Sequence, residues 1–172
     1  KLTVDDARQS LTAHAAEKGA QLREKYGPDI RWNELLKILD DRTVVRYPVE
    51  IVFDAKPLRE GEFAFPQPKG GRPEDGFTIF VHRFFSLQPQ RVPYLVLYHL
   101  VVVNYGDFAS SDDAESFGAS ALGISKDDYY NALCEMTLSL LITGCYWGGP
   151  QHTKFWVDSL QRVANTGQST SG

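Results

Sequence analysis

The spacing of hydrophobic positions changes twice along the chain, dividing it into a helical start, a strand-like middle and a helical end. From Thr3 to Tyr26 the residues are mostly polar, with a narrow apolar stripe formed by Leu11, Ala15 and Leu22. Thr3-x-x-Asp6 has the form of a capping box with aspartate in the glutamate position, and Gly27-Pro28 closes the segment. That pattern predicts a helix lying on the surface. After Asp29, the spacing of Trp32, Leu35, Leu36 and Leu39 predicts a second helix facing a core.

The period then shortens. Val44-Val45 and Val49 to Phe53 are β-branched and aromatic runs split by Pro48. Glu60 to Phe65 alternates and ends at Pro66, and Phe77 to Phe84 is the most strand-like run of all. Gln67 to Gly76 is rich in proline, glycine and charge and reads as a loop. Three or four strands this close in sequence predict a small, largely antiparallel sheet.

Beyond Pro93 the pattern is helical again. Tyr94 to Asn104 is apolar on every side, which predicts a buried helix, although Val101-Val102-Val103 suits a strand equally by periodicity. Ser111 to Leu122 carries acidic residues in its first turn, where they complement the helix dipole. Ser125 caps a further helix, with Asp128 at the box position and Gly144 past its end. Pro150 opens a last helix reaching about Asn165. The predicted fold class is therefore α+β: N-terminal helices, a small sheet and C-terminal helices. One domain is expected over residues 1–166, followed by a polar tail over 167–172.

Composition narrows the function. The 172 residues suffice for one sizeable core, and 42% hydrophobic with 23% charged residues is ordinary for a globular chain. A net charge of -4 argues against a broad phosphate-binding surface, so nucleic acid is not an expected partner. No run of about 20 apolar residues is present, so no membrane-spanning helix is expected. The start at Lys1, without methionine or a signal-like apolar stretch, reads as a processed or trimmed form. Cys134 and Cys145 would lie about 16 Å apart on one continuous helix. That is too far for a disulfide, and free thiols suit a reducing compartment such as the cytoplasm.

Four histidines are available for chemistry. His14, on the polar first helix, reads as solvated, and His82, near a strand end, as a surface or sheet-edge residue. His99 stands out inside Tyr-Leu-Val-Leu-Tyr-His-Leu-Val-Val-Val-Asn, without a charge nearby in sequence. A buried imidazole needs partners for both nitrogens. It is either a core histidine bonded to a carbonyl or carboxylate, or a metal ligand or the remnant of one. Cys145 and His152 share a glycine-containing loop in which a thiol–imidazole pair is conceivable, beside the simpler reading of a small buried cysteine at a helix end.

Arg91-Val-Pro-Tyr-Leu-Val-Leu-Tyr-His99 resembles the approach to the active helix of zincin metallopeptidases, in which a strand precedes the helix carrying His-Glu-x-x-His. In that family the two histidines bind zinc and the glutamate activates water. Asp113-Ala-Glu-Ser-Phe-Gly-Ala-Ser-Ala-Leu-Gly resembles the helix in which gluzincins carry their third ligand, with Asp113 at the ligand position and Glu115 at the supporting one. His152-Thr-Lys-Phe-Trp is similar to a segment in which SprT-like members supply a histidine instead. The resemblance spans roughly Phe77 to Val163. It implies a zincin-like fold and a zinc site drawn from His99, Asp113, Glu115 and His152. This chain departs from the pattern at the chemistry: Leu100 stands at the glutamate position and Val103 at that of the second histidine. Leucine cannot act as a general base, so a replacement such as Glu115 or Asp107 would be needed. The expected function is a degenerate, non-catalytic zincin-like domain that acts through binding, either to a protein partner or as a regulatory or structural module, with the cleft between the sheet and the His99 helix as its contact surface. The alternatives are a metal-dependent hydrolase with an altered site and an unrelated α+β fold in which His99 is structural.

Overall fold

A computed structural model of the chain describes residues 3–142. The helix expected after Pro150, the tail, Cys145 and His152 lie outside the described residues. In chain order the elements are helices α1 (Val4–Tyr26) and α2 (Trp32–Asp40), then strands β1 (Val49–Phe53), β2 (Ala64–Pro68) and β3 (Phe77–Val81). Helices α3 (Val92–Tyr105), α4 (Ser111–Leu122) and α5 (Lys126–Ile142) follow. The fold is mixed α+β, with helices flanking a three-stranded sheet.

The helix ends follow from local chemistry. At α1, Thr3 Oγ1 accepts from the Asp6 N–H at 3.1 Å, while the Asp6 carboxylate accepts from the Thr3 N–H at 2.8 Å. At α4, Ser110 and Asp113 make the same reciprocal box, and Gly123 ends the helix in the left-handed region at φ 69°. Helix α3 has no such polar start. Pro93 sits in its first turn, where a missing N–H costs nothing, and nearly all of its residues are buried. Helix α5 begins where the Ser125 hydroxyl accepts from the Asp128 N–H.

The sheet departs from the expected arrangement. Its order is β1-β3-β2, with β3 parallel to β1 and antiparallel to β2, so the sheet is half parallel rather than largely antiparallel. The link from Asp54 to Phe63 carries the chain from one edge to the other, and β3 returns between the two earlier strands. Strand β2 also runs through Pro66 instead of ending there. Hydrogen bonds from His82 N–H to the Phe63 carbonyl and from Lys69 N–H to the Gly76 carbonyl set the ladder's phase. In that phase, positions 64, 66 and 68 direct their amide nitrogens away from β3, so Pro66 and Pro68 remove no sheet bond.

Other residues moved from their expected places for reasons of packing. Val44 and Val45 lie in a turn after α2, where Val45 is buried. On α2, Ile38 joins Leu35 and Leu39 in the core while Leu36 is 41% exposed, because its face of the helix is turned outward. Strand β3 stops at Val81. His82 is 3% exposed, correcting its surface assignment: its Nδ1 accepts from the Phe84 N–H at 3.1 Å and starts a 3-10 turn that buries Phe85. His14 is half-buried, its ring edge-on to Tyr105 at 6.0 Å, rather than solvated.

Helix α1 lies along α4 and is fastened to it at several points. The Thr12 hydroxyl donates to Asp113, and Arg23 Nη1 donates to the Leu122 carbonyl at 2.8 Å, capping the end of α4. Between them the backbones close up at Gly19, where an added Cβ would lie 2.3 Å from the Phe117 carbonyl oxygen. On the other face of α4, Gly118 admits the Tyr129 ring of α5 in the same way. Helix α3 is enclosed by α4, α5 and the sheet, which makes it the centre of the core.

Candidate functional site

His99 is 1% exposed on the central helix. Its ring lies 5.8 Å from the Phe63 ring and 5.3 Å from the Tyr98 ring. Among the described residues, neither Nδ1 nor Nε2 has a hydrogen-bond partner. Burial disfavours the imidazolium and pushes the pKa down to about 3, so the ring is neutral at physiological pH. Among the described residues, no carbonyl or carboxylate bonds to its ring.

Of the carboxylates expected to join it, Asp113 is engaged elsewhere and Glu115 lies towards another face of α3. Asp113 Oδ1 accepts from the Thr12 hydroxyl at 2.6 Å. Its Oδ2 accepts from both the N–H and the hydroxyl of Ser110, each at 2.9 Å. Asp113 is therefore a buried cap and helix tie. Glu115 lies on the Tyr98 side of α3: its charge raises the pKa of Tyr98, in addition to the larger effect of burial. Burial raises the pKa of Glu115 itself, and Asp112 and Asp127 add to this against the opposing charge of Lys126. Consecutive helical residues diverge by about 100°. Tyr98 thus meets α4 and α5, while His99 meets Phe63 and the sheet side. Burial causes the shift of His99, and among the described residues no charged group contributes to it.

Leu100 and Val103 are buried apolar residues at the two altered motif positions. Among the described residues, no three His, Cys, Asp or Glu side chains gather where they could hold a metal ion. A zinc site of three protein ligands does not fit His99, Asp113 and Glu115 as they stand, since Asp113 is committed to capping and Glu115 faces another side of α3. His152 lies outside the described residues.

A cleft of about 710 Å³ opens beside the C-terminal turn of α3. Ala7 and Leu11 of α1 form one wall, and Pro68, Phe77 and the 70–73 loop form another. Val102 and Val103 contribute from α3, and Phe108, 86% exposed, stands at the rim. The position of the second zinc-binding histidine in the resembled motif thus carries a valine that lines this cleft.

Polar groups gather at one end of it. The Arg46 N–H donates to Asn104 Oδ1 at 2.9 Å, and Asn104 Nδ2 donates to the Val44 carbonyl at 2.8 Å. The Arg46 guanidinium stands over the Tyr105 ring at 5.1 Å and reaches the Asn104 carbonyl at 3.4 Å. Burial raises the Tyr105 pKa; Arg46 works against this and Asp113 with it. Arg72, also on the cleft, is paired with Asp75 at 3.5 Å. Asp107, considered above as a replacement base, is exposed and lines the cleft, whereas His99 does not line it.

Arg46, Asn104 and Tyr105 were not among the candidate functional residues of the sequence. A usable signal was present in the polar Asn104 closing an otherwise apolar helix. No protein-family model, curated protein or solved structure matches the chain.

Proposed function

We propose that this chain is a degenerate zincin-like domain that works by binding a protein partner, not by catalysis, and that the cleft beside α3 is its contact surface. The observation carrying this reading is the pair of substitutions at the motif. Leu100 is a core residue, and Val103 forms part of an apolar cleft wall where the peptidase pattern would place a metal ligand. Kinship is supported by the strand leading to an apolar helix and by the packing of α3 against α4, which begins with the acidic Asp113 turn. Binding is supported by the size and apolar lining of the cleft and by the exposed Phe108 at its mouth, features typical of recognition sites.

Two measurements test the reading. Protein purified without chelator should contain no stoichiometric zinc, and its melting temperature should not respond to added zinc. One zinc per chain, lost in His99→Ala, would favour the metal-dependent hydrolase instead. A photo-crosslinking amino acid placed at Phe108 should give a discrete adduct with a partner in the native cell, while the same group at Leu36 should not. Equal labelling at both positions would remove the cleft from consideration.

A further inference from the structure

We infer that the cleft recognises a compact apolar group of a partner protein that carries one carboxylate, and that Arg46 anchors this charge. The inference rests on the binding reading above and specifies what the site accepts.

Arg46 has no carboxylate partner among the described residues, whereas Arg72, the other cleft arginine, is neutralised by Asp75. Arg46 is exposed, yet its position is constrained. Its backbone N–H is fixed by the Asn104 amide, which is itself fixed by the Val44 carbonyl, and its guanidinium lies over Tyr105. An exposed arginine held in this way has N–H donors beyond the one given to the Asn104 carbonyl and loses little freedom when it meets a carboxylate. The adjoining surface, from Val102, Val103, Leu11 and Phe77, is apolar. A ligand with an anion at one end and an apolar body complements both parts.

β2 is an edge strand, and its last residue, Pro68, lines the cleft. Pro66 and Pro68 occupy the β2 positions whose nitrogens face away from β3, so this edge offers no N–H at those positions to a peptide added as another strand. That edge of β2 is a poor template for an added strand, and the side chains lining the cleft, with the charge at Arg46, suit a compact group.

Two naphthalene probes separate the components. The anionic probe is 1-anilinonaphthalene-8-sulfonate, and the uncharged one is N-phenyl-1-naphthylamine, which has the same rings. Fluorescence titration of the full chain should show one saturable site for each. Arg46→Gln should weaken the anionic probe by roughly ten- to a hundredfold, the loss expected for a hydrogen bond to a charged group, and leave the neutral probe unchanged. Ala7→Trp, at an exposed helical position on the cleft wall, should block both. If both probes bind and are blocked by Ala7→Trp, but Arg46→Gln alters neither, the anchoring role is refuted and the cleft reading survives. If neither probe saturates, or Ala7→Trp has no effect, both readings fail.

Discussion

Thr12 on α1 donates its hydroxyl to Oδ1 of Asp113 on α4 at 2.6 Å, across a separation of 101 residues in sequence. The same aspartate holds Ser110 through its other oxygen. One buried carboxylate thus starts α4 and fastens α1 to it.

This relationship makes Asp113 a stability residue. Asp113→Ala removes the reciprocal cap and leaves the Thr12 hydroxyl only the Arg8 carbonyl as acceptor, so unfolding free energy should drop by about 1–3 kcal/mol. Thr12→Val should cost about 1 kcal/mol, and the double variant should cost less than the sum because the two groups share one bond. Urea denaturation of the four proteins measures the coupling. Strict additivity would mean that the bond contributes nothing.

His99 leads to a prediction about pH. Its folded pKa, about 3, lies below the ordinary value of 6.5. The unfolded chain therefore binds more protons between those limits. Its contribution to stability is complete above about pH 6.5 and is lost as pH falls towards 3, by at most about 1.4 kcal/mol per pH unit. In His99→Leu this component is absent, so the stability difference between variant and parent should widen in the variant's favour as pH falls from 6.5. At neutral pH the variant should be equal or more stable, because two buried nitrogens without partners among the described residues are replaced by apolar surface. A parallel pair of pH–stability curves would contradict the assigned burial.

The comparison of sequence with structure follows the range of the forces involved. The Thr3–Asp6 box, the start of α4 at Ser111 and the buried α3 helix were legible because each is set within a few residues by capping, by acidic first-turn residues or by continuous apolarity. The pairing of β1 with β3 was not legible, since it depends on the path taken between Asp54 and Phe63. Pro66 misled for a related reason: proline ends a strand only where its missing N–H faces a neighbour. The burial of His82 and the Arg46–Asn104–Tyr105 group depend on contacts between segments far apart in the chain, which periodicity does not report. Of the four residues expected at a zinc site, the structure explains Asp113 by capping and separates Glu115 from His99 by the rotation of one helical residue.

Asn104 holds the turn before β1 against the end of α3. Replacing it with alanine would leave the Val44 carbonyl and the Arg46 N–H without their side-chain partner. Asn104→Ala should lower stability by about 1–3 kcal/mol, measured by urea unfolding, while far-ultraviolet circular dichroism stays unchanged. Asn104→Asp keeps the acceptor for Arg46 but loses the donor to Val44, so it should restore part of the loss. An aspartate variant no more stable than the alanine one would show that the Arg46 bond is not the important half.

Two glycines make a matched test of helix packing. At Gly118 an added Cβ would lie 2.3 Å from Cζ of Tyr129, whose ring is buried and whose hydroxyl donates to the Tyr94 carbonyl at 2.6 Å. The ring cannot retreat without breaking that bond or displacing α5. Gly118→Ala should therefore destabilise the fold by about 1–3 kcal/mol, despite the better helix propensity of alanine. At Gly71, in the loop beside the cleft, an added Cβ meets nothing within 4 Å, and Gly71→Ala should be neutral within about 0.5 kcal/mol. Adding Tyr129→Phe to Gly118→Ala removes the hydroxyl that ties the ring to Tyr94 and should relieve part of the strain. If Gly118→Ala matches the parent in thermal melting, α4 and α5 are packed less closely than the contact at Tyr129 requires.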